Sequence, residues 1–266
     1  MQRLLLLTCL LLVLAACQRD NSFLGRVTDS GLLVKQVDKV GNDSTVTVFI
    51  YNPDNQLIEE RSVSNVTNGS GVVETKSFFA RYIRNEAGNI TEIISNGFLG
   101  DLSTSIDTTF HVQYTTQGQV RMIDSTIEYI YNIAGQVIKT NYFNHAGDPE
   151  PAVFGTWAYS PSGNLTQVYF FKRENNGSYG FNIGYNFQYD TKVNPLYDDD
   201  KVLLPFKWGL AVSPNNVIQQ TTIYPGPASS DQNTISYEYK STGVPATAVF
   251  NSTAVQGTKY ITYYYQ

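Results

Sequence analysis

The stretch "YIYNIAGQVIKT", residues 129–140, decides how this chain folds. Tyr131 is followed four positions later by Gly135 and, two positions after that, by the apolar Val137. The same beat recurs in "FIYNPDNQLIEE" (49–60), "VQYTTQGQVRMI" (112–123) and "WAYSPSGNLTQV" (157–168). Looser copies are "YIRNEAGNITEI" (82–93), "NYFNHAGDPEPA" (141–152), "LAVSPNNVIQQT" (210–221) and "YEYKSTGVPATA" (237–248). A three-residue hairpin loop is commonly a type I turn closed by one left-handed residue, and Gly or Asn tolerates that conformation best. The residues expected there are Asn55, Gly88, Gly118, Gly135, Gly147, Gly163, Asn216 and Gly243. Pro53, Pro161 and Pro214 fall at the first turn position, which suits a φ preset near −65°. Pro214 in turn fixes the left-handed residue of the "SPNN" copy on Asn216.

Between the turns the sequence alternates as strands do. In "STVTVFIY", Val46, Val48 and Ile50 point one way while Thr45, Thr47, Phe49 and Tyr51 point the other. Aromatic stripes lead into the turns: Phe49 with Tyr51, Tyr129 with Tyr131, Trp157 with Tyr159, and Tyr237 with Tyr239. Such stripes read as core, each cross-strand pair adding ~0.2–1 kcal/mol. From Gly118 through Gly135 and Gly147 to Gly163, each interval has room for one strand and its turn, which predicts turns at alternate ends. The wider gap from Asn55 to Gly88 must hold a further strand or loop at the opposite edge, with "SNVTNGSGVVE" (64–74) as that loop. The count comes to about fourteen to sixteen strands without a helix, too many for a sheet to stay open and uncurled. Both faces carry apolar residues in places, as with Val168 and Phe170 against Leu165, Tyr169 and Phe171. The expected fold is all-β: a large antiparallel meander of hairpin repeats curled into a barrel-like or shell-like sheet with a filled interior.

The chain begins with an address. Arg3, the apolar run Leu4–Leu14 and the small residues Ala15 and Ala16 have the layout of a secretory signal. The run is too short for a lasting membrane span, which needs about 20 apolar residues. The tetrad Leu14-Ala15-Ala16-Cys17 resembles the lipobox of bacterial lipoproteins, which implies cleavage before Cys17 and acylation of its thiol and new amino terminus. Acyl chains that each gain ~0.8 kcal/mol per buried CH₂ would then anchor the protein. "QRDN" (18–21) partly matches the short polar stretch that directs Bacteroidota lipoproteins to the cell surface. The organisation expected is a signal peptide at 1–16, a lipidated tether at 17–30 and a single β-repeat domain at 31–266, interrupted at 189–216. Of the 2 cysteines, Cys9 lies in the discarded segment and Cys17 carries lipid, so no disulfide is available. The formal net charge of −5 and the lack of a basic stripe exclude a nucleic-acid partner.

Tyr131 to Val137 resembles the YD repeat of RHS-type proteins, a Tyr-Asp-x-x-Gly turn between strands. The chain also resembles a group of secreted Bacteroidota lipoproteins of unknown function with a porin-like β fold. That likeness rests on "LLVKQVDKVGNDSTVTVFIYNPDNQLIEE" (32–60), "YDTKVNPLY" (189–197) and the pair Asn215-Asn216. It implies fold and envelope location, while the family supplies no known active site. The departure is that no aspartate follows Tyr51, Tyr114, Tyr131 or Tyr159. Three triplets, Asp43-Ser44-Thr45, Asp107-Thr108-Thr109 and Asp124-Ser125-Thr126, resemble the acceptor motif of Bacteroidota protein O-glycosylation, which would modify Ser44, Thr108 or Ser125.

Chemistry is sparse. The chain has 2 histidines: His111 reads as a strand residue pointing opposite to Phe110 and Val112, and His145 as a turn residue. There is no HExxH zinc pattern, cysteine ligand set, phosphate-binding loop or nucleophile elbow. Asp198-Asp199-Asp200 lacks the spacing of a calcium loop and reads as solvated. Glu128 and Glu238 occupy equivalent repeat positions and read as solvent-facing, so no catalytic residue, metal or cofactor is assigned. The interrupted region is where a ligand or partner surface is expected, with Tyr189, Tyr197, Phe206 and Trp208 as candidates. The reading is a non-enzymatic cell-envelope lipoprotein, bound to the outer membrane on its periplasmic face or at the cell surface. It would act as a binding or scaffolding module, meeting a glycan or an envelope protein. The alternatives are a carbohydrate-binding accessory lipoprotein, a membrane β-barrel and a carboxylate-dependent hydrolase.

Overall fold

The computed structural model describes residues 32–96, 108–197, 213–226, 230–254 and 257–266. Sixteen strands follow one another: β1 (Leu33–Val40), β2 (Asp43–Tyr51), β3 (Leu57–Thr67), β4 (Val73–Arg84), β5 (Ile90–Asn96), β6 (Thr108–Tyr114), β7 (Val120–Ile123), β8 (Ile127–Tyr131), β9 (Val137–Tyr142), β10 (Val153–Tyr159), β11 (Leu165–Arg173), β12 (Tyr179–Val193), β13 (Asn215–Ile223), β14 (Ser230–Tyr239), β15 (Pro245–Ser252) and β16 (Thr258–Tyr265). Each pairs antiparallel with its sequence neighbours, and β16 pairs with β1, so the sheet closes into a barrel. Closure removes the free edges that an open sheet of this size would carry. No helix occurs among the described residues.

The repeat has a mechanical basis in its hairpins. At Asn132–Gln136, the Asn132 N–H donates to the Gln136 carbonyl at 2.9 Å and the Gly135 N–H to the Asn132 carbonyl at 3.0 Å. Gly135 has φ 76°. The Asn132 side-chain Oδ1 accepts from the N–H groups of Ala134 and Gln136, each at 3.0 Å. Asn52 and Asn85 accept in the same way, and the Thr115 and Ser160 hydroxyl oxygens substitute for the amide oxygen. An acceptor oxygen other than that of an aspartate serves at these five turns, and the Lys240–Val244 turn keeps the backbone bonds without one, which accounts for the departure from the Tyr-Asp pattern.

Each of these turns is followed by a bulge. Tyr131 pairs with Val137 but Ile130 with Lys139, leaving Ile138 as the extra residue. Val137 and Thr140 therefore both face inward with 0% exposure, while Ile138 is exposed. The same shift turns Leu165 inward beside Val168, although plain alternation sets them on opposite faces. The aromatic stripes do face the core: Phe49, Tyr129 and Trp157 are buried in one cluster with Ile93, Ile123 and Leu165.

Two expectations need correction. Asn216 is not a left-handed turn residue: it lies buried within β13, its backbone N–H held by Asp190 and its amide by strand carbonyls. Residues 118–135 hold two short strands rather than one, because Asp124 (φ 48°) and Ser125 (φ 56°) fold β7 back onto β8 in a tight turn that needs no glycine. The 64–74 stretch forms the β3–β4 hairpin, with Gly71 at φ 77°. Gly147 has positive φ but belongs to the longer connection between β9 and β10.

Because strands alternate in direction, turns after even-numbered strands share one rim and turns after odd-numbered strands the other. On the first rim, tyrosines link successive repeats. Tyr131 Oη donates to the Val120 carbonyl and Tyr114 Oη to the Ile90 carbonyl, each at 2.8 Å. Tyr51 reaches Leu33 O at 2.9 Å, Tyr265 reaches Pro245 O at 2.9 Å, and Tyr189 donates to Leu165 O. In each case the acceptor belongs to the first residue of the neighbouring strand. Toward the opposite rim the inner wall of β1–β3 is polar, with Thr45–Ser64 and Thr47–Ser62 hydroxyl pairs at 2.8 Å and a Lys259–Asp38 ion pair at 2.8 Å.

Candidate functional site

The interrupted region meets the tyrosine rim between β12 and β13. Asp190 Oδ1 accepts from the backbone N–H groups of Lys192 at 2.9 Å and Asn216 at 3.2 Å, and Tyr239 donates its hydroxyl to Asp190 Oδ2. Asn216 Nδ2 donates to the carbonyls of Lys192 and Val193. Asn215 and Asn164 bond reciprocally: Asn164 Nδ2 donates to Asn215 Oδ1 at 2.9 Å, and the Asn215 N–H to Asn164 Oδ1 at 3.2 Å. Ser213 Oγ accepts the Leu165 N–H at 3.0 Å and donates to Tyr189 Oη at 2.9 Å, while Asn194 Nδ2 holds the Ser213 carbonyl at 3.0 Å. The paired asparagines thus staple residues 189–197 and 213–216 to the β10–β11 hairpin.

Beside this staple opens a cleft of about 440 Å³ lined by Ser160, Ser162, Thr166, Gln188, Asp190 and Thr191, with Phe187, Tyr189, Asn164 and Asn215 completing its wall. Asp190 is the one ionisable carboxylate of the lining, and both its oxygens are engaged. Burial raises the Tyr189 phenol above its ordinary value. Tyr239 is raised too, first by burial and then by its hydrogen bond to Asp190. Neither phenol is poised to give up a proton near neutral pH. The cleft can offer amides, hydroxyls and aromatic carbon to an uncharged ligand.

Of the residues singled out from sequence, Tyr189 lies on this cleft, half-buried and packed against the core. Tyr197 sits beside the staple, its N–H donating to the Asn194 carbonyl at 3.1 Å. Phe206, Trp208 and the Asp198–Asp200 run lie outside the described residues. His111 is exposed on the outer wall, 3.6 Å from Glu92, and His145 is exposed 3.6 Å from Asp148. Glu128 bonds Asn141 at 2.8 Å and Glu238 bonds Thr247 at 3.0 Å, far apart on the outer wall. Ser44, Thr108 and Ser125 all fall at the rim opposite the tyrosines. Among the described residues no group of three His, Cys, Asp or Glu side chains has metal-binding geometry.

Among solved structures, two Bacteroides porin-like proteins are similar to this chain. The crystal structure of the one from Bacteroides uniformis is 11% identical with a TM-score of 0.45, covering 89% of this chain and 99% of that one. The one from Bacteroides vulgatus is 12% identical with a TM-score of 0.40, at the same coverage. No family model and no curated protein matches the chain. The functional reading therefore rests on this chain's own side chains.

One feature of the outer wall was not legible in advance. On β10–β12, Phe154 stacks on Phe171 with ring centroids 4.9 Å apart, and Tyr179 meets Phe154 edge-on at 5.0 Å. Tyr169 meets Phe181 edge-on at 6.0 Å. Lys139 Nζ lies 4.5 Å above the Phe154 ring. Aromatic residues on both faces of "VYFF" (168–171) were visible in the sequence, but nothing there marked which rings stay partly open to solvent.

Proposed function

We propose that this protein is a non-enzymatic cell-envelope lipoprotein, anchored through Cys17, whose barrel is a binding or scaffolding module presenting the 189–216 side to its partner. The observation that carries the reading is the distribution of charge across the wall. Apolar side chains pack inward, whereas the outer wall bears Glu59 between Arg61 and Arg81, and Glu92 beside His111. A membrane barrel has the reverse arrangement, with an outward apolar band about 25 Å tall around a polar interior. A wall of this kind belongs in water, and the Leu14-Ala15-Ala16-Cys17 tetrad supplies the reason for such a barrel to stay at a membrane. The cleft offers one carboxylate, Asp190, with both oxygens engaged, and one phenol, Tyr189, raised by burial, which favours holding a ligand over turning one over.

The test compares the wild type with Cys17→Ser in cells labelled with a palmitate analogue. The wild type should incorporate label and sediment with the outer membrane. The variant should incorporate none and purify as a folded β protein in buffer without detergent. A variant that stays in the membrane fraction, or that folds only in detergent, overturns the reading in favour of a membrane-embedded barrel.

A further inference from the structure

The outer face of β11–β13 combines a flat ring with a row of uncharged hydrogen-bonding groups. Tyr169 pairs across the ladder with Gly184. A Cβ added to Gly184 would lie 2.6 Å from Tyr169 Cδ1 and 2.9 Å from Cε1, so the ring lies directly over the glycine backbone. Only a glycine lets a ring settle that low on the neighbouring strand. One face of the ring is thereby spent on the sheet and the other is turned outward. Phe181 forms an upright wall at the ring's edge, at 88° to it. The Tyr169 hydroxyl donates to Asn186 Oδ1 at 3.1 Å, which fixes the ring's direction and leaves the Asn186 amide N–H groups to point elsewhere.

Next along the same face, Gln167 pairs with Asn186 and Asn186 with Thr221, and one step further Gln188 pairs with Gln219. Gln188 belongs to the lining of the cleft, so ring, amide row and cleft form one continuous strip toward the tyrosine rim. Gln167 and Gln188 are exposed. The paired positions that make up the strip carry no ionisable side chain until Asp190, whose oxygens are already engaged. The inner wall shows the contrast: Phe170 lies over Gly155 in the same manner, but it is packed among Trp157, Tyr142 and Tyr185, and the nearest polar group, the Thr140 hydroxyl, is buried and already accepts from Trp157 Nε1 at 3.0 Å.

A platform ring, an upright aromatic wall and a run of primary amides and hydroxyls without charge match one ligand chemistry. A pyranose has an apolar C–H face that stacks on an aromatic ring and hydroxyls that pair with amides at its rim. An anionic ligand would want paired cations along the strip, and an apolar peptide or lipid chain would leave the amides unpaired. We infer that the outer strip from Tyr169 to Gln188 is a binding site for a neutral oligosaccharide, with Tyr169 stacking on one sugar ring. This rests on the reading of the barrel as a binding module and names its ligand class.

The test titrates the detergent-free Cys17→Ser chain with neutral hexasaccharides of β-1,4-glucose, β-1,3-glucose, β-1,4-mannose and β-1,4-xylose by calorimetry. At least one should bind, and Tyr169→Ala should weaken it tenfold or more. Gly184→Ala, which lifts the ring, should also weaken it, while Tyr264→Ala, on the outer face of β16 and outside the strip, should leave it unchanged. If Tyr169→Ala fails to fold by circular dichroism, the pair Gln167→Ala and Asn186→Ala carries the test. The inference is overturned if no sugar binds, or if binding ignores both the ring and the amides. Tyr169-dependent binding to phosphatidylethanolamine–phosphatidylglycerol vesicles, or Tyr169-dependent dimerisation by light scattering, would overturn it in favour of those occupants. Palmitate labelling and detergent-free folding of the same chain are read separately, so loss of the sugar site leaves the envelope reading standing.

Discussion

The two rims of the barrel are built from the same kinds of residues but on different terms. Six of the eight five-residue hairpins found among the described residues stand at the tyrosine rim, where tyrosine hydroxyls tie neighbouring strands, and the other two, Asn68–Val72 and Glu174–Ser178, share their hydrogen-bond pattern at the opposite rim. At the opposite rim, connections range from the tight Asp124–Thr126 turn to the long β9–β10 loop. There the β3–β4 hairpin leaves Val72 and Val73 exposed at 58% and 61%. One rim is thus tied by a repeated set of hydroxyl-to-carbonyl bonds, and the other by single links such as Tyr179 Oη to the Pro151 carbonyl and the Thr67 N–H to Asp43 Oδ1, each at 2.7 Å. The regular rim is where the chain's stability concentrates, and the irregular one is free to vary.

Alkaline pH should separate the rims most forcefully. Burial raises the phenols of Tyr159, Tyr189, Tyr237, Tyr263 and Tyr265 above the ordinary value of about 10. The unfolded chain ionises first, so the stabilisation is fully present below pH ~10 and is lost as pH rises toward the folded values. The share of the tyrosinate absorbance at 295 nm that comes from these five buried phenols should rise together with loss of the β circular dichroism signal. Gradual ionisation with the fold intact would mean that the tyrosine rim is wet.

Leu165→Ala, at 0% exposure, should lower unfolding stability by ~2–5 kcal/mol. Val72→Ala at the other rim should stay within ~0.5 kcal/mol. Urea midpoints give both values, and similar losses would erase the contrast.

Gly135→Ala and Gly71→Ala probe what the rims share. Both have positive φ, 76° and 77°, and Gly71 has nothing within 4 Å of an added Cβ. Each should cost ~1–2 kcal/mol from backbone strain alone. A larger loss at Gly135 would show that the turn and the core beneath it are coupled.

A single hydrogen bond is at stake in Tyr131→Phe, which removes the phenol donor from the Val120 carbonyl and should cost ~1 kcal/mol. Tyr264→Phe, an exposed ring beneath Lys35, should be neutral. Thermal melts of the two variants resolve the pair.

The same contrast explains what the sequence revealed. The Tyr-x-x-x-Gly beat was legible because a hairpin with one left-handed residue dictates residue types locally, and Asn55, Gly88, Gly118, Gly135, Gly163 and Gly243 all take positive φ. Asn216 misled because "SPNN" has turn chemistry, yet its amide is claimed by β12 carbonyls across the ladder, a long-range demand that no local pattern records. Leu165 likewise stands just before a bulge that alternation cannot announce. Gly184 reads as a plain strand glycine, and only the coordinates place a ring over it. Tyr189 was found because it opens the region that interrupts the repeat; Asn164, its neighbour across the cleft, was not, because its partner Asn215 is distant in sequence.

The seam between β1 and β16, where the Gln266 N–H meets the Leu32 carbonyl at 3.1 Å, carries a kinetic consequence. Every other pairing joins neighbours and can form as the polypeptide lengthens from its amino-terminal side, but this one joins segments from opposite extremes of the domain and waits for β16. Until then β1 and the newest strand are both bare templates for a foreign strand. The hazardous interval for misassembly is therefore the one just before β16 docks, and a chaperone that shields Leu33–Val40 during that interval would raise the yield of closed rings.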